Sequence, residues 1–418
     1  MLNKQLIKIG ENAVKAANLL SLLKEKTKNK VLKDFLIFIK KEKNKIINAN
    51  KVDIEKAKKN KISENLINRL LINEKKINSI IHSVQEVIKF KDPTHKIVSK
   101  WKRPNGLIIN KYTVPIGVIG VIYEARPNVT ADVATLCFKS GNAVILRGGS
   151  EALMTNKVIS ELFIKALKKN KIDENCVQLI KNTDRKLVDY LLSKMDKYIN
   201  VIIPRGGKNL VKKVLEMSSL PIIGHLEGLC HVYIDKYANL EMAKKITLNA
   251  KMRNTSICGA AETLLVHKSC IKTHLKPILQ LLSISGCEII GDAIVKKNFK
   301  NSIIAKEQDW KTEYLDSKIS VKVVNNIEEA IKHINKYGTK HTESIITDNK
   351  KNAKLFLTNV DSSIVLHNAS TQFADGGEFG FGAEVGISTN KLHPRGPVGL
   401  EQLTTYKYII EGNGQIRA

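Results

Sequence analysis

The sequence predicts an α/β protein built on a parallel sheet. Three observations point there. Between Pro115 and Met217 the chain runs through four successive strand–turn–helix units. The first 92 residues carry helical periodicity and no strand pattern. A length of 418 residues, 43% of them hydrophobic, suits two or three domains with sizeable cores.

Taken in order, "ENAVKAANLLSLLKEKTKNKVLKDFLIFIKKEKNKIINAN" places Val14, Leu19, Leu20 and Leu23, then Phe35, Leu36 and Ile39, at helical spacing. "ISENLINRLLINEKKINSIIHSVQEVI" continues the pattern. "KDPTHKIVSKWKRPNGLIINKYTVPIG" changes to short alternating segments broken by "RPNG", which predicts a β-hairpin or extended arm. "IGVIGVIY" reads as a buried strand and "NVTADVATLCFKS" as a helix ended by Gly141. "NAVILR" is a strand, followed by a helix from Glu151 to about Lys169. "CVQLIK", "NTDRKLVDYLLSK" and "YINVIIPRGGKNLVKKVLEM" repeat the unit. Such repetition implies a parallel sheet covered on both faces, with ligands beyond the carboxyl ends of its strands. Farther on, "YANLEMAKKITLNAKM" reads as a helix, "RNTSICGAA" as a turn and "ETLLVH" as a strand.

The longest apolar runs, such as Val114 to Tyr123, are too short and glycine-broken to span a bilayer. The N-terminus lacks an apolar h-region and, having no arginine, does not resemble a transit peptide, so a cytoplasmic protein is expected. Six cysteines form no CxxC pair, and "LCHVY" lacks the partners of a zinc site; reduced thiols and no metal are expected. The net charge of +29 comes from lysines mixed with Glu and Asp at helical spacing, a pattern of solvated helix faces. A basic nucleic-acid-binding protein stays as the alternative of a different class, although no zinc-finger, RNP or basic-zipper motif accompanies the charge.

Arginine behaves differently from lysine. Only nine occur against sixty lysines, and Arg126, Arg147, Arg205, Arg253 and Arg395 lie in Gly-, Pro- or Asn-rich connections. A planar fork that holds phosphate or carboxylate is where lysine cannot substitute; ordinary surface pairs are the other explanation. Two glycine turns, "ILRGGSEA" and "IPRGGKNL", each follow a β-rich run and open a helix, where backbone N–H groups can face an anion; simple βα turns are the other explanation. No GxGxxG or GxxxxGK[ST] is present, so the standard dinucleotide and NTPase signatures are missing, and any nicotinamide cofactor would have to bind in another way. Cys258, in the Gly/Ala-flanked turn "SICGAA", is poorly placed for core packing and well placed for a cleft. Its backbone N–H and the side chain of Asn128, in "YEARPNVTAD", are candidate donors to an oxyanion.

"VPIGVIGVIYEARPNVTADVATLCFKSGNAVILRGGSEA", "GHLEGLCHVYID", "CGAAETLLV", "TEYLD", "YGTKHTESIIT" and the block from Asn368 to Tyr408 closely resemble the γ-glutamyl phosphate reductases. That family belongs to the aldehyde dehydrogenase superfamily, and the resemblance runs from about residue 5 to the C-terminus with the motifs in family order. It implies an aldehyde-dehydrogenase-like fold: a parallel-sheet NADP-binding domain (1–97 and 113–227), an α/β catalytic domain (228–385), a return segment (386–399) and a small oligomerisation arm (98–112 and 400–418). It implies Cys258 as nucleophile and Asn128 as oxyanion donor. The cofactor residues it implies are Arg147, Gly148, Gly149 and Ser150 for the adenosine part, Gly206 and Gly207, next to Arg205, by the pyrophosphate, and Glu313 on the nicotinamide ribose. Arg126, Arg253 and Arg395 become candidates for the substrate's carboxylate or phosphate. The implied reaction is NADPH-dependent reduction of L-glutamyl 5-phosphate, supplied by glutamate 5-kinase, to L-glutamate 5-semialdehyde in proline biosynthesis, by a homodimer or homotetramer. A related aldehyde or acyl-CoA dehydrogenase is the near alternative. Two departures stand out. Where hydrolytic members carry a water-activating glutamate, the position falls nearer His225 than Glu227, as suits a reductase that releases phosphate. Asn254 stands where another basic residue is expected.

Overall fold

The computed structural model describes residues 2–417. The chain divides into two compact units: residues 1–224, 380–386 and 398–418, and residues 225–379 and 387–397.

The first unit opens with five helices, α1 (Leu2–Leu20), α2 (Glu25–Lys41), α3 (Lys43–Lys59), α4 (Glu64–Leu70) and α5 (Glu74–Lys89). Strands β1 (Ile97–Lys102) and β2 (Ile108–Pro115) pair antiparallel as the anticipated hairpin. The repeating units then follow as β3 (Val118–Tyr123), α6 (Asn128–Lys139), β4 (Ala143–Gly148), α7 (Leu153–Lys169), β5 (Val177–Leu179), α8 (Arg185–Lys194), β6 (Val201–Arg205) and α9 (Lys208–Met217). All four strands are parallel, in the order β5-β4-β3-β6. The alternation of side chains decides which helices cover which face. Ile119, Val121, Val144 and Leu146 point into a core with Phe35, Phe138 and Phe163 of α2, α6 and α7. Val118, Ile122, Ala143 and Ile145 point the other way, against Leu6 and Ala13 of α1 and Leu187 and Leu191 of α8. Being buried on both faces, these strands read as continuous apolar runs. Because the chain moves from β3 to β4 and later adds β6 on the opposite side of β3, the order reverses between β3 and β6. A crevice at the carboxyl ends opens at such a reversal.

In the second unit, β7 (Cys230–Ile234), α10 (Leu240–Met252), β8 (Ala261–His267), α11 (Lys276–Ile284), β9 (Glu288–Gly291), α12 (Ala293–Asn298), β10 (Ile303–Ile304), β11 (Lys318–Val324), α13 (Ile327–Tyr337), β12 (Thr342–Ile346), α14 (Lys350–Asn359) and β13 (Ile364–His367) form a second doubly covered sheet. Its seven strands are parallel in the order β10-β9-β11-β8-β7-β12-β13. Val232, Leu264 and Val321 face α10 and α11, whereas Tyr233, Leu265 and Val324 face α13 and α14.

Several boundaries differ from those expected. Residues 387–397 cluster with the second unit, so the return to the first is made by 380–386 and 398–418, and the break after β6 falls at 224/225. The hairpin gains a third strand, Thr404–Glu411, paired antiparallel with β2 over eight residues. Leu20 is buried as its spacing predicts, but Leu19, placed on the same stripe, is 60% exposed, and Ala13, Ala16 and Ala17 complete the buried face. Arg147 lies within β4, one residue before its end, and Arg205 ends β6, so neither is in a loop. Among the described residues no helix is long and apolar enough to cross a membrane.

Candidate active site

Cys258 lies in the turn that joins α10 to β8, at the amino end of that strand. An ion pair closes the base of the turn: Lys251 Nζ on α10 meets Glu262 Oε2 on β8 at 2.6 Å, both side chains essentially unexposed. Glu262 Oε1 also accepts the Leu315 N–H at 3.2 Å. Burial raises the Glu262 carboxyl above the usual carboxylate range in spite of Lys251. Lys251→Met strands that carboxylate, and losing one partner of a buried pair costs about 3–5 kcal/mol. Urea unfolding of the variant should show this loss at pH 8 and a smaller one at pH 6, because the stranded carboxyl then takes up a proton.

The turn itself is stitched by residues distant in sequence. Gln372 Nε2 donates to the carbonyls of Ala250 (2.9 Å) and Asn254 (3.2 Å), and its Oε1 accepts from Arg253 Nη1 at 3.0 Å. Cys230 Sγ donates to the Cys258 carbonyl at 3.0 Å. A Cβ at Gly228 would run into the carbonyl oxygen and Cβ of Cys258, so only glycine lets these two backbones meet. Glu313 Oε1 accepts the Gly228 N–H at 2.8 Å. Burial, followed by the nearby Cys258 charge, raises the Glu313 carboxyl although that N–H pulls it down.

Of the six cysteines, five are buried and Cys258 alone is half-exposed. Burial pushes the thiols of Cys137, Cys176, Cys230, Cys270 and Cys287 up. Burial opposes ionisation of Cys258 as well, but the charge of His341 and a hydrogen bond from His225 outweigh it and hold this thiol well below its ordinary value. The two imidazole rings stand edge to face with centroids 4.9 Å apart. His225 Nδ1 donates to the Ile387 carbonyl at 2.7 Å, which fixes the ring. A thiolate beside histidine is the reactive form of cysteine. Iodoacetamide should therefore modify Cys258 first, with its half-maximal rate well below the pH of about 8.5 of a free thiol. In His341→Ala that midpoint moves upward, because loss of the positive neighbour favours the neutral thiol; an unchanged midpoint would contradict the pairing.

On the first unit, a cleft of about 280 Å³ sits at the carboxyl ends of β3 and β6, lined by Arg69, Glu124, Arg126, Gly206, Gly207 and Lys208. It occupies the reversal in strand order. Gly207 caps α9 without a side-chain partner of its own, and its N–H donates to Glu124 Oε2 at 2.8 Å. That carboxylate takes the place of an anion at a helix N-terminus. A Cβ at Gly206 would lie 2.6 Å from the same oxygen. Arg205 pairs with Glu384 at 3.4 Å. The other turn is less open: Arg147 is buried and donates from Nη2 to the Thr183 carbonyl at 3.2 Å, with Gly148, Gly149 and exposed Ser150 leading into α7. Asn128 opens α6, and its Nδ2 donates to Asp132 Oδ2 at 3.0 Å, leaving a second amide hydrogen for another acceptor.

Of the residues anticipated from sequence, Cys258, Glu313, Arg253 and Arg395 fall on the second unit, and Asn128, Arg126, Arg147, Gly148, Gly149, Ser150, Arg205, Gly206 and Gly207 on the first. Glu313 reaches the surroundings of Cys258 through Gly228. Arg253 is tied to Gln372, and Arg395 donates to Asp361 Oδ1 at 2.9 Å. His341, Gln372, Cys230 and Glu124 were not singled out. Histidine ahead of a strand in "GTKHTES" was the one available signal; the others depend on contacts that spacing does not show.

One parallel-sheet unit thus carries a histidine-paired thiol in a turn, and the other a basic, glycine-lined crevice. The model of the aldehyde dehydrogenase family matches residues 3–285, and the chain belongs to that family. A γ-glutamyl phosphate reductase of Clostridium tetani is 49% identical over 427 residues, with 100% of this chain and 99% of the relative covered. One of Paramagnetospirillum magneticum is 47% identical over 409 residues, 98% and 96% of the two chains. The crystal structure of a γ-glutamyl phosphate reductase from Thermotoga maritima superposes with a TM-score of 0.96 at 42% identity, covering 99% of this chain and 100% of the other. At this similarity over its whole length, the chain falls within the γ-glutamyl phosphate reductase branch of the family.

Proposed function

We propose that the protein reduces L-glutamyl 5-phosphate to L-glutamate 5-semialdehyde with NADPH, releasing phosphate, as a step of proline biosynthesis. The observation that carries this is the half-exposed Cys258, alone among six cysteines in having its thiol acidified, in a chain whose full-length relatives are γ-glutamyl phosphate reductases. Family membership implies a nicotinamide cofactor. The residues of the first unit suit one: once Glu124 gives up the Gly207 N–H, that group and the start of α9, with Arg69 and Lys208, match a pyrophosphate. Gly148, Gly149 and Ser150, behind Arg147, are assigned to the adenosine part, and Glu313 to the nicotinamide ribose.

In this reading the Cys258 thiolate attacks the acyl carbon, a C–S bond forms, and the bond to the phosphate oxygen breaks. Asn128 and the backbone N–H of Cys258 donate to the oxygen that gains charge. The cofactor, when bound, supplies a hydride to the resulting thioester. Collapse of the tetrahedral alkoxide then breaks the C–S bond and restores the thiolate beside His225 and His341. Arg126, Arg253 and Arg395 are assigned to the substrate's anionic groups; for Arg395 this requires exchange of its partner Asp361. The three-stranded β arm supports a homo-oligomer, since it leaves Trp101, Tyr406, Tyr408 and Ile410 substantially exposed.

The test is run in the thermodynamically convenient direction. Oxidation of glutamate 5-semialdehyde should produce NADPH only when phosphate is present, with NADP preferred to NAD. Oxidation that proceeds without phosphate, or that requires coenzyme A, would replace this assignment by a related aldehyde or acyl-CoA dehydrogenase.

A further inference from the structure

The cluster that acidifies Cys258 has a second chemical identity. Sγ of Cys258 and one ring nitrogen each of His225 and His341 lie within 4.8 Å of one another. His225 is oriented by its Nδ1–H to the Ile387 carbonyl at 2.7 Å, which leaves Nε2 to address the sulfur. His341 Nδ1 is 2.9 Å from Thr342 Oγ1 and 3.6 Å from Cys230 Sγ. Its Nε2 lies in a residue that is 0% exposed and meets no oxygen or nitrogen partner, so the Cys258 sulfur is the acceptor His341 has on this side. A buried polar atom left in that condition is costly unless a further species meets it. A histidine whose other nitrogen is held by a carbonyl or hydroxyl is also the common form of a metal ligand, because the outer contact fixes tautomer and ring angle.

We propose that Cys258, His225 and His341 form a binding site for a divalent ion of the zinc type, and that occupancy shuts off the nucleophile. One thiolate and two imidazoles are a soft, nitrogen-rich donor set that selects zinc or cobalt over magnesium or calcium. Three protein ligands with a fourth position for water match the open form of a zinc site. Bonds of ~2.0–2.3 Å bring tetrahedral donors to ~3.5 Å from one another, so closure by about 1 Å is needed. Rotation of the partly exposed Cys258 side chain can supply it, with His225, held by Ile387, and buried His341 as the fixed corners. The ion replaces the proton shared by sulfur and imidazole, and the sulfur lone pair that would attack an acyl carbon becomes a metal bond. Only the inhibition rests on Cys258 being the nucleophile; the binding does not.

Cobalt is the probe. Reduced, chelator-stripped full-length protein should take up one equivalent of Co²⁺ with a near-ultraviolet sulfur-to-cobalt charge-transfer band and visible bands of tetrahedral intensity, and Zn²⁺ should bleach both. Cys258→Ser should lose the charge-transfer band, and His341→Ala should bind at least about tenfold more weakly. In the wild-type protein, where folding is not in question, stoichiometric Zn²⁺ should protect Cys258 from iodoacetamide and a chelator should restore labelling. No band in the wild type, a band that survives in Cys258→Ser, or labelling undiminished by zinc overturns the site. Acylation of Cys258 by an acyl phosphate without any cobalt band would sink the metal site and leave the enzymatic reading standing; a cobalt band without acylation would do the reverse.

Discussion

Cys258→Ser should abolish NADPH oxidation while leaving NADPH binding intact. Serine is close to isosteric, so the turn held by Gln372, Cys230 and the Lys251–Glu262 pair should persist. What changes is ionisation. His341 and His225 hold the thiol well below its ordinary range and so favour the thiolate, whereas a hydroxyl in the same place does not ionise. Loss of a nucleophile typically lowers turnover by roughly 10⁴-fold or more. The measurement is steady-state kcat beside a fluorescence titration of NADPH. A variant that keeps more than about a tenth of the rate would exclude covalent catalysis at this sulfur.

Asn128→Ala is the second large effect. Loss of one preorganised oxyanion donor costs about 10² to 10³ in kcat. In the proposed role the amide is oriented by Asp132, one helical turn on, which accepts from Nδ2 at 3.0 Å and is itself held by Ser83 Oγ at 3.0 Å. Burial raises the Asp132 carboxyl, with the bonds from Asn128 and Ser83 opposing. One amide hydrogen is therefore spent on orientation, and under the proposed mechanism the other meets the developing charge. The effect should fall on kcat with little change in KM for the acyl phosphate. A change confined to KM would make Asn128 a binding residue and not an oxyanion donor.

The fold was legible wherever local periodicity and burial agree. In β3 and β4 both faces are buried, so "GVIGVIY" and "NAVILR" stand out as apolar runs, and the helices between them carry their own stripe. The strand Thr404–Glu411 was not read as one, because "TTYKYIIE" is mostly exposed and pairs only through β2, some 300 residues earlier. The boundaries around 380–398 escaped for a similar reason. That stretch passes twice between units, and composition does not change with each crossing. Cys258 could be suspected from its turn alone. Its activators could not: His225 lies 33 residues before it and His341 83 after it, brought to it by β7 and β12. "LCHVY" was read as lacking the partners of a zinc site. In the folded chain Cys230 instead braces the Cys258 carbonyl from inside β7, and His231 binds Glu343 at 2.9 Å.

Whether the sulfur of Cys258 becomes acylated is decided most directly by mass spectrometry of wild-type protein mixed with L-glutamyl 5-phosphate, without reductant, and quenched in acid within milliseconds. The mass of one glutamyl group should appear on the peptide that contains Cys258 and vanish when NADPH is added before the quench. An adduct on any of the other five cysteines, or an unmodified peptide while phosphate is still released, would contradict the account.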